Sequence, residues 1–330
     1  MCSLDPAKVP ETALLCKALI FINASTNAFV VSYSMLTLEQ FKAAGYLPTP
    51  EIHTIAKLAL QLHKPILLEG PPGVGKTSMA KALATVCQTN LLRIQCYEGI
   101  TAEQVIGEFN YQRQLLAIEL FKASAPVFTG ASAEKLSIEG SETLNSALTD
   151  IFSPEFFIAR PLLQALQSSE PVVLLIDEID RADEEFEALL LEALAENQIT
   201  VPELGTVHAN SFPIVVMTSN GTRQLSGALR RRSLYLALDF PTSKREAEII
   251  KMHVPELEEG VATKITELLR KIRNNDAILQ APSISEAIEL AKALTILGAK
   301  YLEMPLLEEI LGLLVKNGAD MTAVRLSLQP

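Results

Sequence analysis

The sequence predicts an α/β fold, a doubly wound core of about five parallel strands followed by a small all-helical domain. Three observations carry this. Short apolar runs alternate with helical patterns from Ile52 to Leu238, one of the strand-to-helix junctions is a glycine-rich loop, and no strand pattern survives after Pro241.

Residues 1–45 form an N-terminal extension to which the sequence assigns no structure. From Ala18 to Leu38 no residue is charged, a length near that of a membrane span. Its middle, Asn23-Ala24-Ser25-Thr26-Asn27, is polar and costly in hydrocarbon. The residues before it include Glu11 and lack a strongly basic region, so an anchor or signal is the weaker reading. Met35 stands close to where recognisable structure begins and is a second candidate start.

Beyond Pro48-Thr49-Pro50, apolar residues at helical spacing predict a helix over Ile52 to Leu62, closed by Lys64-Pro65. Ile66-Leu67-Leu68-Glu69 is a strand ending at Gly70, and Thr77 to Val86 resumes an alanine-rich helix. Leu91 to Cys96 is a second strand. Gln112 to Lys122 and Phe156 to Leu166 read as helices, flanking a loop-rich insertion at about 123–150. Val172 to Ile176 is a β-branched run of the fully buried kind, followed by a helix over Glu184 to Glu196. The strands Ile214 to Met217 and Leu234 to Leu238 enclose a helix over Gln224 to Arg232. Helices over Lys244 to Met252, Val261 to Ile272, Ile284 to Leu297 and Leu306 to Leu314 complete the chain. An α/β domain over 46–241 and a helical domain over 242–330 follow from this division.

Composition narrows the function. Hydrophobic residues make up 48% and charged residues 20%, a globular balance and not that of a disordered chain. The net charge of −11 makes the average surface repel phosphate backbones, so nonspecific nucleic-acid binding is not the default reading. Cys2, Cys16, Cys87 and Cys96 are scattered, which suits a reducing, cytoplasmic setting and offers neither a zinc knuckle nor a disulfide framework. His53, His63, His208 and His253 are equally dispersed, leaving only a cation that accompanies a nucleotide as a metal expectation.

The strongest chemical signal is Gly70-Pro71-Pro72-Gly73-Val74-Gly75-Lys76-Thr77, a P-loop pattern between a strand and a helix, with Ser78 beside it. Glycines let the backbone curl its N–H groups toward phosphate oxygens, and the following helix adds its positive end. Lys76 reaches the β- and γ-phosphates, and Thr77 offers a hydroxyl to Mg²⁺. The second signal is Val172-Val173-Leu174-Leu175-Ile176-Asp177-Glu178, a buried strand carrying two carboxylates at its C-terminal end. Asp177 suits Mg²⁺, and Glu178 suits activation of the water that attacks the γ-phosphate. Acidic residues also follow strands as helix caps, a reading that the P-loop disfavours. The third strand runs into Thr218-Ser219-Asn220, where Asn220 either positions that water or forms a turn before Gly221. Arg230-Arg231-Arg232 ends a helix and has three readings: a solvated helix end, a phosphate contact for nucleic acid, or an arginine finger reaching a neighbouring subunit's nucleotide.

These signals, in this order and with a helical tail, resemble the AAA+ superfamily, and the surrounding wording resembles its MoxR branch. The phrases that carry the finer resemblance are Tyr97-Glu98-Gly99, Tyr111-Gln112-Arg113-Gln114-Leu115-Leu116, Arg160-Pro161-Leu162-Leu163, Asp180-Arg181-Ala182-Asp183 and Pro202-Glu203-Leu204-Gly205. It covers roughly Tyr46 to the end; Met1 to Met35 lie outside it. The resemblance implies a P-loop NTPase core of five parallel strands, a helical lid, and a hexameric ring with ATP between subunits. It further implies a chaperone that remodels or activates a protein client or metalloenzyme, often with a partner carrying a von Willebrand factor A domain. Carried over by position, Lys76 and Thr77 bind phosphate and Mg²⁺, Asp177 and Glu178 are the Walker B pair, Asn220 is sensor 1, and Arg231 or Arg232 is the finger. Many relatives carry a sensor 2 arginine in a Ser-Pro-Arg phrase; here the stretch reads Ser283-Ile284-Ser285-Glu286, with Arg160 and Arg181 as substitute charges or plain salt-bridge partners. A nucleic-acid motor or loader is the alternative function, and a nucleotide-gated scaffold a third, disfavoured by Glu178 and Asn220. Adenine over guanine follows from the resemblance alone, because the loop reads phosphates.

Overall fold

The computed structural model describes residues 20–22, 29–31, 36–124, 153–202, 204–299 and 301–328. Most of the uncharged N-terminal stretch and residues 125–150 of the expected insertion lie outside the described residues. Within that stretch, Ile20–Ile22 pairs antiparallel with Phe29–Val31. No helix among the described residues is long and apolar enough to cross a membrane.

The centre is a 5-stranded sheet of β1 (Ile66–Glu69), β2 (Leu91–Gln95), β3 (Val173–Asp177), β4 (Ile214–Ser219) and β5 (Leu234–Ala237), in the order β5-β1-β4-β3-β2. Every neighbouring pair is parallel. The inner strands read as continuous apolar runs because helices cover both faces. Side-chain alternation divides them cleanly. Leu67, Leu174, Ile176, Val215 and Met217 face one core with the Pro161–Gln167 and Glu184–Glu196 helices. Ile66, Leu68, Val173, Leu175, Ile214 and Val216 face the other, with the Leu38–Ala43, Pro50–Leu62 and Lys76–Val86 helices. Register brings the strand ends level: Ser219 pairs with Glu69, and Gln95 with Asp177.

The helices follow local rules. Thr49 caps the Pro50–Leu62 helix by accepting from the Ile52 N–H at 3.1 Å, Pro50 occupies its first turn, and His63 ends it at φ 51°. After Pro241 the helices Ser243–His253, Val261–Arg273, Ile284–Ile296 and Met304–Ile310 pack around a third apolar cluster that includes Ile250, Ile265, Leu269, Leu290 and Leu311. The Val261–Arg273 helix buries Val261, Ile265, Leu268, Leu269 and Ile272, the spacing of one face.

Phe156 to Leu166 is not one helix. A 3₁₀ turn over Pro154–Phe156 leads into the strand Phe157–Ala159, which pairs with Gly107–Phe109, and the helix begins only at Pro161. Proline at the first helical position excludes Arg160 from the helix, and Arg160 is extended at φ −96°, ψ 172°. Phe109 and Phe157 then meet edge to face at 5.1 Å. Likewise the helix expected from Gln224 begins at Gly227 behind a Ser226 cap, and the Leu306 to Leu314 pattern is a helix ending at Ile310 and a 3₁₀ turn over Leu311–Leu313. The hairpin Gln198–Val201 with Gly205–His208 and the Gly318–Leu328 helix add elements that periodicity did not predict.

Candidate functional site

The glycine loop joins β1 to the Lys76–Val86 helix, whose cap is Gly75 at φ 94° with no side-chain hydrogen bond to the first turn. The helix therefore keeps its first N–H groups for a ligand. Gly73 is at φ 75°, and a Cβ there would meet the Ser283 Cβ at 2.1 Å, so the loop passes directly under the start of the Ile284–Ile296 helix.

Lys76 is 7% exposed. Its Nζ donates to the carbonyls of Gly70 and Pro71 at 2.6 and 2.8 Å and to Asn220 Oδ1 at 2.8 Å. Burial lowers the ammonium's pKa, outweighing the attraction of Asp180, Asp177 and Glu178. Thr77 Oγ1 lies 3.1 Å from Asp177 Oδ1, to which Thr218 Oγ1 also donates at 2.5 Å. A hydroxyl beside a carboxylate is the hard-oxygen set that Mg²⁺ takes with few protein ligands, so Thr77 and Asp177 fit that ion. Glu178 sits in the left-handed region at φ 56°, a conformation that costs about 1 kcal/mol or more. Its N–H donates to Thr218 Oγ1 at 2.9 Å, and Arg181 holds its carboxylate at 3.0 Å. Asn220 follows β4, its backbone N–H donating to Asp180 Oδ2 at 3.1 Å.

Lys76, Thr77, Asp177, Glu178 and Asn220 line one pocket of about 240 Å³, together with Pro72, Gly73, Gly75 and Ser78. It opens at the carboxyl ends of β1, β3 and β4, where parallel sheets hold ligands. A second cavity of about 390 Å³ shares Gly73, Gly75, Ser78 and Ser285 with it and is lined by Val74, by Tyr46 and Ile52, by Phe240, and by Ile249 and Ile288 of the C-terminal helices. The two form a polar compartment against the loop and an apolar one beside it.

Arg231 and Arg232 are exposed and line neither cavity. Arg230 donates to Glu69 at 3.3 Å and lies over the Tyr235 ring, and Arg232 reaches the Leu191 carbonyl at 3.3 Å. Arg160 pairs with Glu108 at 2.7 Å, away from the pocket.

Three residues in or behind the site escaped the sequence reading. Arg93 on β2 donates to Asp177 at 2.6 Å and lines the pocket; a charge inside the run Leu91-Leu92-Arg93-Ile94 was its signal, but register, which sequence does not give, decides its partner. Thr218 bridges Asp177 and the Glu178 backbone, and Asp180 gathers the N–H groups of Asn220 and Thr222.

Residues 65–233 match the family model described as AAA domain (dynein-related subfamily). Among curated proteins the chain is similar to an uncharacterized protein of Staphylococcus haemolyticus, 25% identical over 252 residues covering 73% of this chain and 82% of that protein. An uncharacterized protein of Staphylococcus epidermidis is 26% identical over 252 residues, with the same coverage of 73% and 82%. Among solved structures, the Thermotoga maritima RuvB Holliday junction branch migration motor gives a TM-score of 0.46 at 23% identity, covering 83% of this chain and 72% of that one. A proline-to-glycine mutant of the same protein gives 0.47 at 22% identity, covering 82% and 71%. The family match spans more than half of the chain and contains the loop, both carboxylates and Asn220, and the chain belongs to the AAA+ ATPases, in the dynein-related AAA family.

Proposed function

We propose that this protein is a Mg²⁺-dependent ATPase of the MoxR type that assembles as a ring, hexameric by resemblance, and remodels a client protein in the cytoplasm. The observation that carries the reading is the convergence of Lys76, Thr77, Asp177, Glu178 and Asn220, from the loop and two separate strand ends, on one pocket. Backbone N–H groups of the loop and helix start bind the phosphates, and Lys76 transfers from loop carbonyls to them. Thr77 and Asp177 would hold Mg²⁺, which neutralises phosphate charge when bound. Glu178 accepts the proton of the attacking water, and the Asn220 amide orients it. The apolar cavity over Ile249 and Ile288 suits a base, and its walls come from both the sheet and the C-terminal helices. Nucleotide binding there couples the two parts, the motion by which a ring acts on a client.

The net charge of −11 weighs against a nucleic-acid motor. A protein client, with or without a von Willebrand factor A partner, rests on the MoxR phrases. Glu178→Gln tests both levels: it is expected to bind ATP normally, to lose turnover by at least about 100-fold, and to retain the client in ATP. Undiminished turnover would remove Glu178 as the base. A client released equally by both forms, or a salt-sensitive shift of DNA in place of a client, would overturn the remodelling role.

A further inference from the structure

Arg93 stands apart from the residues of the proposed ATPase mechanism. It projects from edge strand β2 beside β3, and its Nη2 donates to Asp177 Oδ2 at 2.6 Å and to Gln95 Oε1 at 2.5 Å. The side chain is 49% exposed while Asp177 is 6% exposed, so only the acceptor is fixed. Arg93 and Lys76 are the cations lining the phosphate pocket, and the C-terminal helices contribute only the uncharged Ser285. It lines the pocket together with Asp177 and Glu178, the carboxylates proposed for the metal and for the attacking water.

Two demands collide at Asp177. Its carboxylate accepts from Thr77, Thr218 and Arg93, and it is also the carboxylate proposed for Mg²⁺. A divalent cation and a guanidinium on one carboxylate would repel each other, so Arg93 and a metal held by Asp177 would compete for it. The displaced fork of donors, on a long exposed stem, then has a phosphate oxygen as its natural acceptor, because guanidinium matches phosphate geometry bidentately.

We propose that Arg93 exchanges partners through the nucleotide cycle: it holds Asp177 until a metal-bound nucleoside triphosphate arrives, then donates to the terminal phosphate as an arginine acting in cis. This rests on the nucleotide reading of the pocket. The exchange makes Arg93 both a competitor of the metal and a sensor of the third phosphate, and nucleotide binding reads each separately.

The test is equilibrium binding of fluorescent ATP and ADP analogues to the full chain, with Mg²⁺ titrated, for wild type, Arg93→Ala, Arg93→Lys and Lys76→Ala. Arg93→Ala is expected to cut the preference for triphosphate over diphosphate roughly tenfold or more, the worth of a hydrogen bond to a charged group, with ADP affinity held within about twofold. It is also expected to lower the Mg²⁺ concentration at half-saturation several-fold, since the competing cation is gone. Arg93→Lys, which keeps the charge without the fork, falls between. Arg93→Gln carries the expectation of Arg93→Ala should the alanine variant not fold. Both changes are required, and failure of either overturns the proposal. If wild type binds nucleotide, Lys76→Ala loses it and Arg93→Ala matches wild type, the Arg93 proposal fails alone; if wild type binds neither analogue, the nucleotide reading itself fails.

Discussion

Asp180 follows the two carboxylates of the site but does not line the pocket, and its work is done on backbone. At 3% exposure, its Oδ2 accepts from Thr222 Oγ1 at 2.6 Å, from the Thr222 N–H at 2.9 Å and from the Asn220 N–H at 3.1 Å. Removing it strands three donors, so Asp180→Ala is expected to destabilise the fold by about 3 kcal/mol in urea unfolding and to disorder Asn220. Burial opposes its ionisation, but the bonds from Thr222 and Asn220 win and hold its pKa below the ordinary 3.8. A carboxyl depressed in the folded state stabilises fully above its unfolded pKa and loses that contribution as pH falls through the folded one. The stability gap between wild type and Asp180→Asn is therefore expected to be constant near pH 7 and to narrow below about pH 4. The cysteines supply a second residue-level expectation. Burial pushes the thiols of Cys87 and Cys96 up to about 12, so neither is a thiolate at neutral pH. Mass spectrometry after brief alkylation is expected to find both unmodified in the native protein and both modified in denaturant.

At the scale of elements, the C-terminal helices are tied to one another and to the segment that follows β5 through Arg273. Its guanidinium pairs with Glu246 at 2.6 Å, donates through Nε to the Pro282 carbonyl at 2.8 Å and lies 4.3 Å from the Phe240 ring. One side chain thus joins the Ser243–His253 and Val261–Arg273 helices to the linker before them and to the residue that precedes Ser283 over the glycine loop. Glu246 is 2% and Arg273 12% exposed, so breaking the pair leaves a buried charge without a partner. Arg273→Ala is expected to cost about 3 kcal/mol, read as a lowered melting temperature, and to weaken nucleotide binding because the cavity wall at Ile249 and Ile288 shifts. The core strands were legible as short continuous apolar runs, and their helices as apolar residues at helical spacing. The small antiparallel pairs were not: Phe157-Ile158-Ala159 is an apolar run too short to distinguish strand from helix, and its partner Gly107–Phe109 lies far away in sequence. Which residues share the pocket was legible wherever a motif carries its own geometry, as at Lys76 and Asp177. It failed at Arg93, whose partner depends on which strand is its neighbour.

For the whole molecule, the three adjacent arginines separate by what they touch. Arg230 is engaged with Glu69 and Tyr235 of its own chain, and Arg232 has one long bond to the Leu191 carbonyl. Arg231 is exposed, and its side chain makes no hydrogen bond or ion pair with the described residues of its own chain. The helix that presents it is held firmly: Glu187, 1% exposed, accepts from the Ser226 N–H at 2.8 Å and pairs with Arg223. A rigid mount with an unengaged guanidinium suits a group that completes a neighbour's pocket, stabilising charge that develops on the transferring phosphate. Turnover per chain is then expected to rise with protein concentration as rings form, and Arg231→Ala to reduce it by at least about 100-fold at every concentration while leaving the sizing profile unchanged. Arg232→Ala is expected to have the smaller effect. Mixing Arg231→Ala with Glu178→Gln gives the decisive reading: a finger acting in trans allows some mixed interfaces to pair an intact Glu178 with an intact Arg231, so two inactive variants restore part of the activity. A pocket completed within one chain has no such interface, and the mixture stays inactive.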